Sequence, residues 1–140
     1  MPAPLPTALP AAGETVKIGP VLVSEAMITG FARAFDPLPF HLDRKAARAS
    51  LLGDLAASGW QTLALGLRLL KQSPLGTLPI LRLTGTRDLK WLKPVLVDDR
   101  LSGTATLMRL EGQIAEIDLL LENHKHAPVL RARLLFEVSP

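Results

Sequence analysis

From Gly59 to Lys71 the chain reads GWQTLALGLRLLK, and this run predicts a helix with Trp60, Leu63, Ala64, Leu65, Leu67, Leu69 and Leu70 on nearly every side. Only Gln61, Thr62, Arg68 and Lys71 interrupt the apolar surface. Such a helix cannot rest on a domain with one face in water; something must envelop it. At 140 residues the chain has the length of one domain, so the wrapping has to come from the rest of this sequence.

The downstream half supplies it. Residues 78–92, 101–110, 113–123 and 129–138 read as strands joined by short turns, with Glu111-Gly112 as a tight-hairpin signal. Ala115, Ile117, Leu119 and Leu121 share one side of their strand, opposite Ile114, Glu116, Asp118, Leu120 and Glu122. In the last strand Leu130, Ala132, Leu134, Phe136 and Val138 alternate with Arg131, Arg133 and Glu137. One face is apolar and the other charged, as in an antiparallel sheet curled about a buried helix, an α+β domain. Hydrophobic residues make up 48% of the chain but aromatic ones only 4%, so the core is aliphatic.

Upstream, residues 15–23 read as short extended segments broken by Gly19-Pro20. Ser24 caps a helix running to about Phe35, with Glu25 in its first turn and Ile28, Phe31 and Phe35 on one stripe facing the core. Asp43 caps a second short helix through Ala49, and residues 50–58, with Gly53, form a loop. Residues 1–13, rich in proline and free of Lys and Arg, read as a flexible tail before a domain over residues 14–140.

Other classes fall away. Without cysteine there is no disulfide, thiolate metal site or Cys nucleophile. No apolar run reaches membrane-spanning length, no charged signal start precedes one, and a cytoplasmic protein without membrane contact is the default expectation. A net charge of +3, from interspersed residues of both signs, suits a solvated surface with some affinity for anionic ligands and not a nucleic-acid interface. No phosphate-cradling Gly-rich loop, His-Glu-x-x-His or Gly-x-Ser-x-Gly occurs. His124-Lys125-His126 could be a metal site, but two His in a hairpin turn without a nearby third ligand read more readily as a solvent-facing turn, and Asp98-Asp99 reads as another turn.

The candidate chemistry lies in Phe35-Asp36-Pro37-Leu38-Pro39-Phe40-His41-Leu42-Asp43. Two prolines fix their own φ and push the preceding residues out of the helical region, so residues 36–40 should form a stiff, non-helical bend with Asp36 and His41 on either side. A carboxylate and an imidazole within reach of one water can hold it, take its proton and return it. The alternative is that Asp36 caps a turn and His41 is a satisfied structural histidine. Gly59 offers a backbone N-H at a helix start with no side chain in the way, or is simply a turn before the helix. Ser58 is a helix cap or a ligand contact.

Asp36-x-x-Pro39-x-His41-x-Asp43, then Ala46 and Ala47, Ala57-Ser58-Gly59-Trp60 and Trp91-Leu92-Lys93-Pro94 together resemble the MaoC-like dehydratases, a family that includes the (R)-specific enoyl-CoA hydratases. The resemblance runs from about Glu14 to Val138. It implies a hotdog fold and reversible addition of water across the 2,3 double bond of an acyl thioester, without metal or redox cofactor. It also implies a homodimer or higher oligomer, with the sheet continued across subunits and the acyl site at their junction. Asp36 and His41 become the water-binding pair and Gly59 part of the oxyanion hole. Ser58, Phe40, Trp60, Trp91 and Lys93 are the further candidates for contact with an enoyl-CoA, and Lys90, Arg87 and Arg82 could meet its phosphates or belong to a solvated sheet face.

Two positions depart from the family pattern. Leu38 stands where Asn or Gln is usual, and Gly66-Leu67 where some members carry a Ser. Together they leave open a slow enzyme, an unusual substrate, or a retired enzyme that only binds thioesters; beside them stand a thioesterase on the same scaffold and, from Leu38 and the Leu-rich helix, a non-catalytic acyl-CoA-binding module.

Overall fold

The computed structural model describes residues 10–140, so most of the expected tail lies outside the described residues. Strands β1 (Thr15–Leu22), β2 (Ile80–Trp91), β3 (Arg100–Glu111), β4 (Ile114–Glu122) and β5 (Pro128–Val138) form one sheet in the order β1-β3-β4-β5-β2. All neighbours are antiparallel. The sheet wraps helix α4 (Gly59–Lys71) as the hotdog fold does, and helices α1 (Glu25–Phe35), α2 (Pro39–Leu42) and α3 (Arg44–Arg48) connect β1 to the loop before α4.

The inward alternation is as the sequence indicates. Ala115, Ile117, Leu119 and Leu121 of β4 and Leu130, Leu134 and Phe136 of β5 are buried against α4 residues such as Leu65, Leu69 and Leu70 in one continuous core. Gly66 lets the helix lie close to β4: a Cβ there would stand 2.7 Å from Leu119 Cδ2 and 3.1 Å from Leu121 Cδ1. The outer face carries ion pairs, including Arg133–Asp118 at 2.7 Å and Arg82–Glu137 at 2.7 Å.

Several expectations need correction. The extended segment at residues 15–23 is one strand, not broken pieces: Ile18 pairs with Gly103 and Val21 with Leu101, and a bulge at Gly19-Pro20 absorbs the extra residue. Gly19 has φ +89, and a Cβ there would meet Leu101 O at 2.8 Å, so the bulge requires glycine. The β3–β4 turn falls on Gly112-Gln113, one residue later than Glu111-Gly112, because Gly112 is the residue with positive φ.

Helix α1 begins as expected, with Ser24 Oγ accepting from Met27 N at 3.2 Å. Its buried face, however, is Ile28, Thr29 and Ala32, not Ile28, Phe31 and Phe35. Small residues bring α1 close to the core, and Phe35, 75% exposed, instead pairs with Phe31 at a 5.2 Å ring separation on the rim. Nor is α4 enclosed on all sides: Trp60, Ala64, Arg68 and Lys71 form an exposed stripe, while Gln61 and Thr62 are buried. No helix of the described residues is long and apolar enough to cross a membrane.

Candidate active site

Helix α1 ends at Phe35, and Asp36 closes it by donating its N-H to Ala32 O at 2.9 Å. Pro37 has no N-H with which to continue the helix, and Leu38, preceding Pro39, is extended at φ −82, ψ 144. The bend covers residues 36–38 only. Pro39 starts α2 instead of extending the bend to Phe40, because the first helical position needs no N-H partner and suits proline's φ. His41 thus projects from a short, proline-started helix, and Asp43 caps the next one by accepting from Ala46 N at 3.2 Å.

Three contacts fix the His41 ring, which is 6% exposed. Its Nδ1 donates to Ala56 O at 2.5 Å, Phe40 packs edge-on at 4.6 Å, and its Nε2 lies 3.4 Å from Asp36 Oδ2. Ala56 is held in turn: its N-H donates to Phe40 O at 3.0 Å, and it bridges Leu96 across the segment after β2. Behind this loop, Asp54 lies 3.5 Å from Arg44 Nε. The Leu55 N-H, and after it the Arg44 guanidinium, hold the Asp54 carboxyl below the usual carboxylate range.

These contacts decide the tautomer. A carbonyl only accepts, so Nδ1 carries the hydrogen and a neutral His41 presents a lone pair at Nε2. In that neutral form the lone pair and the Asp36 carboxylate are two acceptors 3.4 Å apart with no hydrogen between them. A water giving one O-H to each satisfies both and turns its own lone pairs outward. The Asp36 side chain is 25% exposed, enough for solvent to enter.

Beside the pair is a cavity of about 230 Å³ whose wall includes His41, Ala56, Gly59, Thr62, Trp91 and Lys93. Asp36 is not on that wall and adjoins the cavity through His41. Gly59, the first residue of α4, makes no hydrogen bond through its N-H to any described residue. Trp91 lies over it: the indole Nε1-H donates to Gly59 O at 2.6 Å, and a Cβ on Gly59 would be 2.8 Å from that nitrogen. Any side chain at Gly59 would push the indole away.

Of the other sequence candidates, Trp91 and Lys93 reach the cavity wall, while Ser58, Phe40 and Trp60 do not. Ser58 makes no side-chain cap; its Oγ is buried without a hydrogen-bond partner among the described residues. Phe40 buttresses His41, and exposed Trp60 meets Trp91 edge-on at 5.1 Å. Arg82 and Arg87 are engaged by Glu137 and Glu116 on the sheet. In the β4–β5 turn, His124 Nδ1 sits 2.7 Å from the buried Asp99 and His126 Nδ1 2.9 Å from Glu122.

Sequence reasoning missed Ala56, whose carbonyl orients the imidazole, and Thr62, Leu52 and Val95 on the wall. Nothing in an Ala-Ala-Ser-Gly stretch says which carbonyl will face a histidine fifteen positions earlier. The only available signal was the run of small residues before Gly59, which marks a close approach of chain segments.

Residues 8–120 match the MaoC like domain family. The chain is similar to the MaoC-like dehydratase from Rhodospirillum rubrum, at 34% identity and TM-score 0.74, covering 93% of this chain and 94% of that one. It has the same fold as the (R)-hydratase from A. caviae involved in PHA biosynthesis, with TM-score 0.79 at 20% identity, over 92% of this chain and 97% of that one. A curated relative, the uncharacterized protein YdeM of Bacillus subtilis, is 29% identical over 108 residues, 77% of each chain.

Proposed function

Because this chain belongs to the MaoC-like domain family, we propose that it is a hydratase/dehydratase that reversibly adds water to the 2,3 double bond of an enoyl-CoA, in the manner of an (R)-specific enoyl-CoA hydratase. The observation that carries the reading is the pair of acceptors, Asp36 Oδ2 and His41 Nε2, 3.4 Å apart beside a cavity that also exposes Gly59.

The steps follow from what each group can do. The pair holds one water by both hydrogens and aims its oxygen at C3 of the bound thioester. As the C3-O bond forms, the water's O-H breaks and the proton passes to the pair, while the double-bond electrons move towards the thioester oxygen. The Gly59 N-H, at the positive end of α4, stabilises the resulting enolate. A proton from the pair then forms the C2-H bond, and the enzyme returns to its starting state. No metal or redox group is required, since the sum is one water added.

The reading includes assembly into at least a dimer. Among the described residues, edge strand β2 has an unpaired side, with Leu81 60% and Leu83 42% exposed, and Trp60 beside the site is 60% exposed. Pairing β2 with its copy would cover this apolar edge and bring the partner towards the cavity.

The test is incubation with short, medium and branched enoyl-CoAs, following both loss of the conjugated double bond and release of thiol. Hydration removes the double bond and leaves the thioester intact. Free coenzyme A would mark a thioesterase, and ligand-induced thermal stabilisation with no product would mark a binding module.

A further inference from the structure

We infer that the Thr62 hydroxyl is a second hydrogen-bond donor to the thioester oxygen, acting beside the Gly59 N-H on the enolate. The inference rests on the acyl-thioester reading above and deepens it by naming a further catalytic residue.

Thr62 is poorly explained by packing alone. It is the fourth residue of α4 and is 2% exposed, so water does not serve its side chain. A β-branched residue does not favour a helix, and a buried hydroxyl costs free energy unless it is well bonded. This one is not. Among the described residues Thr62 Oγ1 reaches only Ser58 O, at 3.4 Å, where a hydroxyl bond is ordinarily about 2.7–2.8 Å. Ser58 O already accepts from Thr62 N at 3.0 Å, so it stays bonded if the hydroxyl turns elsewhere.

The surroundings indicate where it turns. Thr62 lines the same cavity as Gly59 and His41. On α4 it stands about 60° round from Gly59 and about 4.5 Å further along the axis. Helical side chains lean towards the N-terminus, which brings its γ atoms down towards the first turn, where the Gly59 N-H has no partner among the described residues. Three neighbouring donors on that wall are committed: Trp91 Nε1-H to Gly59 O, His41 Nδ1-H to Ala56 O, and Ala57 N-H to Val95 O. The enolate oxygen carries more charge than the thioester oxygen it grows from, and two aligned donors hold that charge better than one. Thr62 keeps its proton throughout. The hydroxyl hydrogen rotates from Ser58 O to the ligand, and no bond to the residue forms or breaks.

The experiment compares Thr62→Val, which removes the hydroxyl and keeps the shape, with Thr62→Ser, which keeps the hydroxyl. For crotonyl-CoA, kcat is expected to fall about 10²-fold in Thr62→Val, with KM little changed, as for a contact made mainly in the transition state. Thr62→Ser should keep most of the activity. Thr62→Ala takes the place of Thr62→Val if that variant unfolds. A second readout needs no turnover: the infrared carbonyl stretch of bound butanoyl-CoA, isotope-labelled at the carbonyl carbon. It should lie lower in the unaltered protein and in Thr62→Ser than in Thr62→Val. The same stretch in all of these proteins would overturn the inference, and so would an equal loss of turnover in both variants, which would assign Thr62 to packing. Should Thr62→Val hydrate crotonyl-CoA as fast as the unaltered protein, the hydratase reading stands and the inference falls. If the unaltered protein hydrates no enoyl-CoA, the hydratase reading falls and the carbonyl stretch decides the inference by itself. Failure to bind butanoyl-CoA at all would overturn both.

Discussion

Asp36→Asn is expected to lower hydration of crotonyl-CoA by about 10²–10⁴-fold, the range removed with a positioned acid-base group, while the protein stays folded. The substitution keeps size and shape. Asp36 is anchored through its backbone, by the 2.9 Å bond to Ala32 O, and its carboxylate meets His41 at 3.4 Å without capping a helix. The new amide, however, has hydrogens to donate. It can satisfy the Nε2 lone pair directly and take the place of the water that the carboxylate had shared. The pair then loses both its base and its reason to hold solvent. Turnover close to that of the unaltered protein, with an unchanged unfolding midpoint, would remove Asp36 from the chemistry.

Gly59→Ala is expected to be nearly as damaging, with turnover down about 10²-fold or more, the scale associated with a lost oxyanion donor. The change adds one methyl group, and helix propensity favours alanine. The added carbon nevertheless falls 2.8 Å from Trp91 Nε1 and 2.9 Å from Cε2, so the indole must leave and its 2.6 Å bond to Gly59 O must break. Trp91 also forms part of the cavity wall, so its movement reshapes the space in which the thioester oxygen would meet the Gly59 N-H. Tryptophan fluorescence should report the displacement. The double variant Gly59→Ala/Trp91→Ala separates causes: recovered stability without recovered turnover assigns the loss to the cavity. Full activity in Gly59→Ala, which keeps the backbone N-H, would show that the close approach of Trp91 does not matter to the cavity.

What could be read from the chain and what could not divide along physical lines. Periodicity set out the α4 run and the alternation of β4 and β5, because burial on one face leaves a period in the sequence whatever the partner. Caps were legible for the same local reason: Ser24 and Asp43 act on N-H groups two or three residues away. Helix α1 shows the limit of periodicity as a guide to the buried face. Phe31 and Phe35 had the right spacing for a core stripe, but Ile28, Thr29 and Ala32 made the close contact, because contact distance and not hydropathy alone selects the face.

The site divides in the same way. That Asp36 and His41 lie close together was legible because two prolines stiffen the few residues between them. The contacts that surround the pair were not. The Ala56 carbonyl that fixes the imidazole tautomer and the Trp91 indole over Gly59 both arrive from distant segments. The leucines that pack against Gly66 belong to β4, and only the packed chain reveals that a glycine there marks contact and not space.

The most direct measurement is a crystal structure of the protein with 3-hydroxybutanoyl-CoA, whose 3-hydroxyl oxygen is the water after addition. That oxygen should lie within hydrogen-bond distance of both Asp36 Oδ2 and His41 Nε2, with the thioester oxygen on the Gly59 N-H. A 3-hydroxyl remote from either side chain, or a thioester bound on another face of the sheet, would contradict the account.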